Sequence, residues 1–433
     1  MPLVVRSLVR IVSADWVVPV EGEPIRHGAV AVANDGRIAA VGPADELGAG
    51  VRFPGCVILP GFVNAHSHLE YAVYAGFGDG LSFGPWIGLH VARKQRLAAE
   101  EMDAIARRGA ADCLASGITA VGDASFSGSA ALACAELGLR GIVYLEVFGP
   151  DAAALARFAE LRDRVEPFLS ERVRLGVSPH APYTCGLELY RACADLGLPL
   201  ATHLNESDDE LAYLRAGEGP WASFRDWLVE PPGESGIRLL AGAGLLGEGV
   251  VAAHCVRVDE EEIALLAQYG VAVAHCPRSN AMLGCGVAPL AELRAAGLRV
   301  AIATDSPAST PGFDMFAELR AAVLAARART RDPGALSAAG ALELATLGGA
   351  RALGLEDEIG SLVPGKWADL TVVSLEDSPF EPLEDPVVAS ILGGAPDRVV
   401  ATLIAGDERY RKGTTEWRDL RRAARRARAR MLP

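Results

Sequence analysis

The sequence predicts an α/β protein: a (β/α)8 barrel with a small β-sandwich built from both chain termini. Between about residues 57 and 310, short runs rich in Val, Ile and Ala end in polar residues and alternate with Ala-, Leu-, Glu- and Arg-rich helical stretches. This alternation is typical of βα units around a parallel sheet. The runs are CVILPGFVNAHSH, ITAVGDAS, RGIVYLEVFG, VRLGVSPHAP, PLATHLNES, GVVAAHCV, GVAVAHCP and RVAIATDSP. Eight units in roughly 250 residues match a barrel, and a doubly wound sheet is the alternative.

The two ends of the chain have a different pattern, which predicts a second, smaller domain. GAVAVANDGRIAAVG alternates around Asn34-Asp35-Gly36, a hairpin signal, and GKWADLTVVSL and RVVATLIAGDERY predict further strands near the other end. We therefore expect a β domain of residues 1–57 and 358–412, a catalytic barrel of residues 58–357 and a basic C-terminal helix of residues 413–433. That helix, RDLRRAARRARAR, is expected to be solvated rather than a binding arm.

Composition and charge exclude several classes of protein. The net charge of -14 argues against a general nucleic-acid binder, and no apolar run approaches the roughly 18 residues of a membrane span. Arg6 and Arg10 interrupt what would be the apolar region of a secretory signal. The eight cysteines are scattered without a CxxC pair. We expect a cytoplasmic protein that acts on a small molecule and binds neither nucleic acid nor a membrane.

Polar residues at the ends of the predicted barrel strands indicate a metal centre. Four strands end in such residues: His66 and His68, His203 and Glu206, His254, and Asp305. His66 and His68 alternate along one strand, so both imidazoles face the same side. The carboxyl ends of all barrel strands open onto one face, where these side chains converge. Each histidine alone could be a core residue, but four independent placements favour a divalent ion held by imidazoles and a carboxylate, with one position left for water.

Several motifs together resemble one enzyme family. PGFVNAHSHLE, SPHAPYTC, THLNES, AAHC, HCPRSN and ATDSPAST resemble the amidohydrolase superfamily, in its cytosine deaminase-like and adenosylhomocysteine deaminase-like branch. The resemblance spans nearly the whole chain and includes a small β-sandwich built from both termini. It implies a metal-dependent hydrolytic deaminase that forms a homodimer or a larger homo-oligomer. It also implies that the metal ligands are His66, His68, His203 and Asp305, and that Glu206 and His254 are catalytic residues that do not bind the metal.

The lysines of the chain bear on the number of metal ions. Two-metal members of the superfamily bridge their ions with a carboxylated lysine on the fourth strand, but Lys94, Lys366 and Lys412 all lie outside the central barrel strands. We therefore expect one divalent metal ion. Zn²⁺ is the first expectation because it suits three histidines and a carboxylate, and Fe²⁺, which accepts the same ligands, is the alternative.

Removing an amino group from an aromatic ring carbon requires both a hydroxide and a proton donor. Asp305 is expected to help deprotonate the attacking water, Glu206 to protonate the ring nitrogen and the leaving ammonia, and His254 to stabilise the adduct. One alternative is a hydrolase of another N-heterocycle, of guanine, cytosine or chloro-triazine type. A catalytically inactive binding protein on the same fold is the other. Glu206 favours deamination, because dehalogenation has less use for an acid, and the complete set of site residues argues against inactivity.

Four further residues are predicted to contact the substrate: Glu70, Trp86, Glu146 and His180. The HxHLE form of the first motif, followed by an aromatic lid segment with Trp86, resembles the aminodeoxyfutalosine deaminases of the alternative menaquinone pathway. The expected substrate is therefore a 6-aminopurine nucleoside, with aminodeoxyfutalosine first and adenosylhomocysteine or adenosine as related possibilities. Core packing is the alternative for Trp86, a contact to a neighbour for Glu146, and a structural role for His180.

The remaining histidines and two arginines complete the predictions. His275 is expected not to be a ligand, because four metal positions are already assigned. His27 and His90 are interpreted as structural or surface residues. Arg278 or Arg93 is a candidate partner for a carboxylate on the 5′ substituent of the nucleoside.

Overall fold

The computed structural model describes residues 9–432, which form an eight-stranded parallel barrel and a second eight-stranded sheet. The strands are β1 (Arg10–Val17), β2 (Ile25–Arg26), β3 (Gly28–Val32), β4 (Ile38–Pro43), β5 (Val51–Pro60), β6 (Phe62–Ser67), β7 (Ile118–Ser125), β8 (Arg140–Val147), β9 (Val173–Pro179), β10 (Leu200–Leu204), β11 (Val250–His254), β12 (Ala272–His275), β13 (Arg299–Ile302), β14 (Leu370–Ser374), β15 (Val399–Ile404) and β16 (Asp407–Arg411). Residues 1–8 of the predicted β domain, with Arg6, and Pro433 of the predicted C-terminal helix lie outside the described residues.

Helices follow most of the barrel strands, and further helices lie in the terminal segments. They are α1 (Ala44–Leu47), α2 (Phe83–Lys94), α3 (Ala99–Ala115), α4 (Ser129–Leu137), α5 (Leu155–Val165), α6 (Leu187–Ala194), α7 (Asp208–Ala216), α8 (Gly236–Gly242), α9 (Glu260–Gln268), α10 (Pro277–Met282), α11 (Leu290–Ala295), α12 (Met315–Thr330), α13 (Ala338–Leu344), α14 (Leu347–Ala352), α15 (Pro386–Gly393) and α16 (Arg418–Met431). Short 3₁₀ segments cover Leu69–Tyr71, Ala152–Ala154, Glu166–Phe168, Pro220–Trp227 and Pro396–Arg398.

The barrel consists of β6 to β13 in sequence order, each parallel to its neighbours. A parallel bridge between Ser67 and Asp305 brings the first strand next to the end of the last. Almost every strand residue is buried, as expected for parallel strands covered by side chains on one face and helices on the other. The (β/α)8 prediction is confirmed, and each of the eight predicted runs contains one barrel strand.

The first predicted run was wrong in one respect, because it contains parts of two strands. Its first half belongs to β5, which pairs in parallel with β1 and antiparallel with β14 in the terminal sheet. The chain changes sheets at Gly61, where a Cβ atom would lie 2.0 Å from the Thr119 hydroxyl oxygen. Only glycine permits this approach. The boundary between the sheets therefore lies at Gly61, slightly after the predicted one at residues 57 and 58.

Strands from both ends of the chain form the terminal sheet, in the order β16-β15-β14-β5-β1-β3-β4 with β2 beside β1. The hairpin predicted around Asn34-Asp35-Gly36 joins β3 and β4. This sheet has its own apolar core. A buried ion pair connects it to the barrel, because the Nε of Arg140 at the start of β8 lies 3.0 Å from a carboxylate oxygen of Asp369. The predicted domain from both termini is thus one continuous hydrogen-bonded sheet.

Helix α16 exposes most of its charged side chains, but its other side packs against the protein, which its charge did not predict. The Met431 side chain of this helix is fully buried, in a cluster with Tyr74, Phe77 and Ala308. The guanidinium of Arg428 donates hydrogen bonds to the carbonyl oxygens of Val73 and Ala75 and lies 4.2 Å from the ring centre of Phe77. The apolar residues of the helix were too few to show this contact in the sequence. The helix therefore packs against the segment that follows β6 and stabilises its position.

Two further observations concern the environment of the protein. None of the described helices is both long and apolar enough to cross a membrane. All eight cysteines lie within the described residues, where they are buried and unpaired.

We predict that Met431→Ala lowers the free energy of unfolding by about 2 kcal/mol, because it leaves a cavity beside Tyr74 and Phe77. Urea-induced unfolding measures this change. Leu432→Ala is the matched control, because that neighbouring side chain is 47% exposed, and a change below about 0.5 kcal/mol is expected there. Equal effects of the two substitutions would contradict the assigned packing of α16.

Candidate active site

Five side chains at the carboxyl ends of barrel strands converge on one point. Nitrogen and oxygen atoms that could bind a metal lie within 4.8 Å of one another in two groups that share His66. One group is His66, His203 and His254, and the other is His66, His68 and Asp305. The Oδ1 atom of Asp305 is 3.6 Å from Nε2 of His66 and 3.5 Å from Nε2 of His68. The structure therefore brings together all the predicted ligands, with His254 beside them.

Backbone carbonyl groups determine which nitrogen of two imidazoles faces this point. Nδ1 of His68 lies 2.9 Å from the carbonyl oxygen of Ala124, and Nδ1 of His203 lies 2.8 Å from that of His180. A carbonyl oxygen only accepts, so each Nδ1 carries the proton and each Nε2 keeps its lone pair. Such contacts behind the ligands orient them and fix their tautomers.

The donor set fits a divalent metal ion. Nε2 of His66 is buried and has no hydrogen-bond partner among the described residues. A buried polar atom left unpaired is costly, and a metal ion would accept its lone pair. Burial lowers the pKa of the predicted ligand His68 to about 3, so this imidazole is neutral, as a ligand must be. Burial likewise lowers the pKa of His254 to about 4.

Three residues outside the predicted set orient the catalytic side chains. The hydroxyl groups of Ser279 and Ser309 donate to Oδ2 of Asp305 at 2.6 and 2.8 Å, which leaves Oδ1 to face His66 and His68. Asn280 Oδ1 lies 2.9 Å from Nδ1 of His254. Sequence reasoning missed these roles, although Ser279 and Asn280 belong to the quoted motif HCPRSN. Their position on α10, directly after β12, was the available signal.

The backbone is strained at the same place. Asn205, His254 and Asp305 have positive φ angles of 49°, 73° and 55°. Non-glycine residues rarely adopt this left-handed conformation, and it persists only where the surrounding structure enforces it. At each of these positions the chain leaves a barrel strand, so the turn directs the functional side chains across the mouth of the barrel.

Glu206 is buried beside the metal-binding group. One of its carboxyl oxygens is 3.5 Å from Nδ1 of His254, and its backbone N–H donates to Glu210 at 2.6 Å. Burial, together with the negative charge of Asp305, raises its pKa well above the ordinary range. Both effects favour the protonated form of the carboxyl group, which is the form that is able to donate a proton.

A cavity of about 330 Å³ opens onto these residues. Its other lining side chains are predominantly aromatic or apolar: Tyr71, Phe83, Trp86, Ile87, His90, Val91, Lys94, Glu146, Phe148, His180, Tyr183, Thr184, Trp221, Phe224, Trp227, Leu228, Leu283 and Ser306. An apolar cavity with a few convergent polar groups is the usual form of a small-molecule site. The structure brings three of the four predicted substrate contacts to this cavity, namely Trp86, Glu146 and His180.

A model of the family described as amidohydrolase family matches residues 57–410. The chain belongs to the amidohydrolase family. It is 34% identical to 5-methylthioadenosine/S-adenosylhomocysteine deaminase of Symbiobacterium thermophilum, with 92% of each chain covered. It is 32% identical to 5′-deoxyadenosine deaminase of Methanothermobacter thermautotrophicus, over 87% of this chain and 88% of the relative. The crystal structure of an adenosine deaminase from Xanthomonas campestris with bound zinc is 31% identical, with a TM-score of 0.86 over 97% of this chain and 98% of the other.

The fourth predicted substrate contact of this amidohydrolase, Glu70, lies behind the cavity wall. Its carboxylate accepts hydrogen bonds from the hydroxyl group of Ser125 and from the backbone N–H groups of Ser127 and Ser129. It is 1% exposed and is not among the described residues that line the cavity. The structure thus gives Glu70 a role in ordering the loop after β7, because its acceptors are already used there.

Both arginines predicted to meet a carboxylate also lie elsewhere. Arg278 forms a 3.3 Å ion pair with the buried Glu318, and Arg93 donates to the carbonyl oxygen of Met431 at 2.8 Å. Neither lines the cavity among the described residues. Lys94 does, and it is the only lysine or arginine of the described chain that does so. Sequence reasoning considered Lys94 only as a barrel lysine, because nothing in the sequence shows that α2 ends over the cavity.

The other histidines have separate environments. His90 lines the cavity, contrary to the structural or surface role predicted for it, and its Nδ1 lies 2.7 Å from the carbonyl oxygen of Trp86. His275 is buried but belongs to neither group of candidate metal ligands among the described residues. His27 is exposed.

We predict one divalent metal ion per chain, and loss of most of that metal in His66→Ala, because His66 belongs to both ligand groups. Elemental analysis of the purified protein measures the content. His254→Asn is the matched variant and is expected to retain the metal, because the family resemblance implies that His254 is a catalytic residue rather than a ligand. Two metal equivalents per chain would contradict the single-metal assignment, and metal loss in His254→Asn would make His254 a ligand.

Proposed function

We propose that this protein is a hydrolytic deaminase that replaces the 6-amino group of a purine nucleoside with oxygen and uses one Zn²⁺ ion. The observation that carries this proposal is the buried carboxyl group of Glu206, 3.5 Å from His254 and beside the metal-binding group. Hydrolysis of the bond between a ring carbon and its exocyclic amino group needs such a proton donor. The names of its relatives, deaminases of adenosine and of its 5′-modified derivatives, support the same reaction.

The proposed metal ligands are His66, His68, His203 and Asp305. A divalent ion held by them would supply a hydroxide nucleophile at neutral pH, since such ions lower the pKa of a bound water to about 7 in favourable sites. Zn²⁺ is preferred because of the three histidines and one carboxylate, and because the adenosine deaminase from Xanthomonas campestris carries zinc.

The side chains move protons around the reacting carbon. Asp305 accepts a proton from the attacking water as the water oxygen bonds to C6. Glu206 donates a proton to ring nitrogen N1. His254 holds the attacking oxygen or stabilises the tetrahedral adduct, while the negative charge that passes into the ring is neutralised by the proton on N1. Glu206, now a carboxylate, takes up the hydroxyl proton of the adduct and passes it to the amino nitrogen as the C6–N6 bond breaks, which gives the 6-oxopurine and ammonia. Release of the proton held by Asp305 and uptake of a proton by Glu206 restore both groups, so one water is consumed and one ammonia is released.

We propose aminodeoxyfutalosine as the preferred 6-aminopurine nucleoside. Its 5′ substituent ends in an aryl carboxylate, and the outer wall of the cavity carries aromatic rings from two segments, Phe83 and Trp86 on α2, and Trp221 and Phe224 after α7. Aromatic pairs contribute about 0.5–1.5 kcal/mol beyond their burial. Phe83 and Trp221 already pack with ring centres 5.3 Å apart, so the wall is preformed. The carboxylate would face solvent at the open end of the cavity.

We predict that Glu206→Gln lowers kcat for ammonia release by roughly 100-fold while the metal content stays unchanged, since it removes a positioned acid and keeps the shape of the side chain. Glu188→Gln, a substitution on α6 outside the cavity lining, is the control and should leave kcat within twofold. Activity of the Glu206 variant within a few-fold of the parent protein would exclude Glu206 as the proton donor.

We predict that aminodeoxyfutalosine has the highest kcat/KM in a panel with adenosine, adenosylhomocysteine, methylthioadenosine, cytosine, guanine and a chloro-triazine. The nucleosides share one reacting carbon, so differences among them report contacts to the 5′ substituent. Ammonia release, with chloride release for the triazine, measures the rates. A faster free base would overturn the nucleoside assignment, a faster triazine would favour the dehalogenating alternative, and no turnover by a metal-loaded protein would favour an inactive binding protein.

A further inference from the structure

One corner of the cavity contains polar groups that the proposed proton transfers do not use. It is formed by Tyr71, Lys94 and Glu146, and we call it the polar corner. Glu146 lies at the end of β8. This strand is two strands before β10, which carries His203 and is followed by Glu206. The polar corner therefore lies around the rim from Glu206, with His180 at the end of β9 between them.

Glu146 is a buried carboxyl group that lines the cavity. Its side chain is 4% exposed and lines the cavity, yet it forms no hydrogen bond or close ion pair with any described residue. Burial raises its pKa to about 7, against the favourable charge of Lys94. Buried carboxyl groups in folded proteins are normally hydrogen-bonded, so the free oxygens of Glu146 are available to donors on a ligand.

Lys94 offers complementary donors. Its ammonium group donates to the hydroxyl oxygen of Tyr71 at 2.9 Å and lies 3.6 Å from the ring centre of Phe126. Tyr71 is the only hydrogen-bond partner of this ammonium among residues 9–432, and an ammonium group has three N–H donors. The polar corner thus presents unused acceptors on Glu146 and unused donors on Lys94.

The charges of the polar corner select a neutral ligand. The ammonium of Lys94 is balanced by Glu146, and the further negative charge of Glu70 acts on the same carboxylate. A ligand carboxylate placed here would meet that excess of negative charge. A pair of neighbouring hydroxyl groups suits the corner better, because each hydroxyl both donates to a carboxylate and accepts from an ammonium.

We propose that Glu146 and Lys94 bind the 2′- and 3′-hydroxyl groups of the ribose of the nucleoside. This inference rests on the proposed function, which orients the purine with N1 toward Glu206. The glycosidic side of the ring then points away from Glu206, toward the rim where the polar corner lies. The 5′ substituent is left to the aromatic wall of Phe83, Trp86 and Trp221.

The experiment compares adenosine, 2′-deoxyadenosine and 3′-deoxyadenosine, which share the reacting carbon and lack any 5′ extension. We expect the parent protein to show roughly 10-fold or more lower kcat/KM for each deoxynucleoside, since a hydrogen bond to a charged group contributes about 1.5–3 kcal/mol. Glu146→Gln and Lys94→Met should lower kcat/KM for adenosine by a similar factor, mainly through KM. Neither should lower it further for the deoxynucleoside that has lost the corresponding hydroxyl.

Glu171→Gln and Lys412→Met, two exposed positions outside the cavity, are matched controls that should leave all three rates unchanged. Equal kcat/KM for the three nucleosides in the parent protein would overturn the proposal. So would an equal loss for all three nucleosides in Glu146→Gln, because that result indicates a structural role. If Lys94→Met instead impaired only carboxylate-bearing nucleosides, Lys94 would be an anion site and the proposal would be wrong.

Binding measurements separate this inference from the deaminase assignment. Calorimetric titration of the metal-loaded Glu206→Gln variant with adenosine and 2′-deoxyadenosine needs no turnover. We expect about 10-fold weaker binding of the deoxynucleoside, and this difference should disappear when Glu146→Gln is added to the same protein. Failure of ammonia release with retained discrimination would overturn only the proposed reaction, whereas equal affinities would overturn only the diol site.

Discussion

Convergence of neutral imidazoles on the Asp305 carboxylate is the constraint on which the active-site end of the barrel depends. Burying these groups is unfavourable unless each nitrogen and oxygen has a partner. Carbonyl groups and Asn280 satisfy the outer nitrogens, Ser279 and Ser309 satisfy the outer carboxylate oxygen, and a divalent ion would satisfy the inner atoms. The left-handed turns at His254 and Asp305 are the backbone cost of that geometry.

The cavity wall and the metal-binding end of the barrel are supported by one packed unit. The segment after β6 supplies Tyr71, and its next residues pack against α16. The same cluster includes Ala308, three residues beyond Asp305. Because close-packed clusters transmit strain, a change at the far end of the chain acts on both the wall and the loop that carries Asp305. Helix α16 is therefore part of the framework of the site, although it contributes no residue to the cavity among the described positions.

The chemistry and the selectivity of the site are divided around the rim of the barrel. Burial and a neighbouring carboxylate both disfavour the charged form of Glu206, and this effect suits a general acid. Glu146 is buried as well, but Lys94 opposes the effect of burial there. Two carboxyl groups in one cavity thus have different electrostatic surroundings, and this difference underlies the two roles proposed for them.

Periodicity and the polar ends of the runs were enough to predict the barrel, its eight strands and the convergence of His66, His203 and Asp305, because in a parallel barrel the strand ends share one face by construction. The positions of side chains on long loops and terminal helices depend on packing between distant segments, which no local pattern records. For this reason the sequence did not predict that Glu70 accepts hydrogen bonds from backbone N–H groups or that Lys94 lines the cavity. It also did not predict that the basic helix α16 is buried on one side. The sequence by itself determined the fold and the set of residues that converge at the strand ends, and only the tertiary structure decided which other side chains line the cavity.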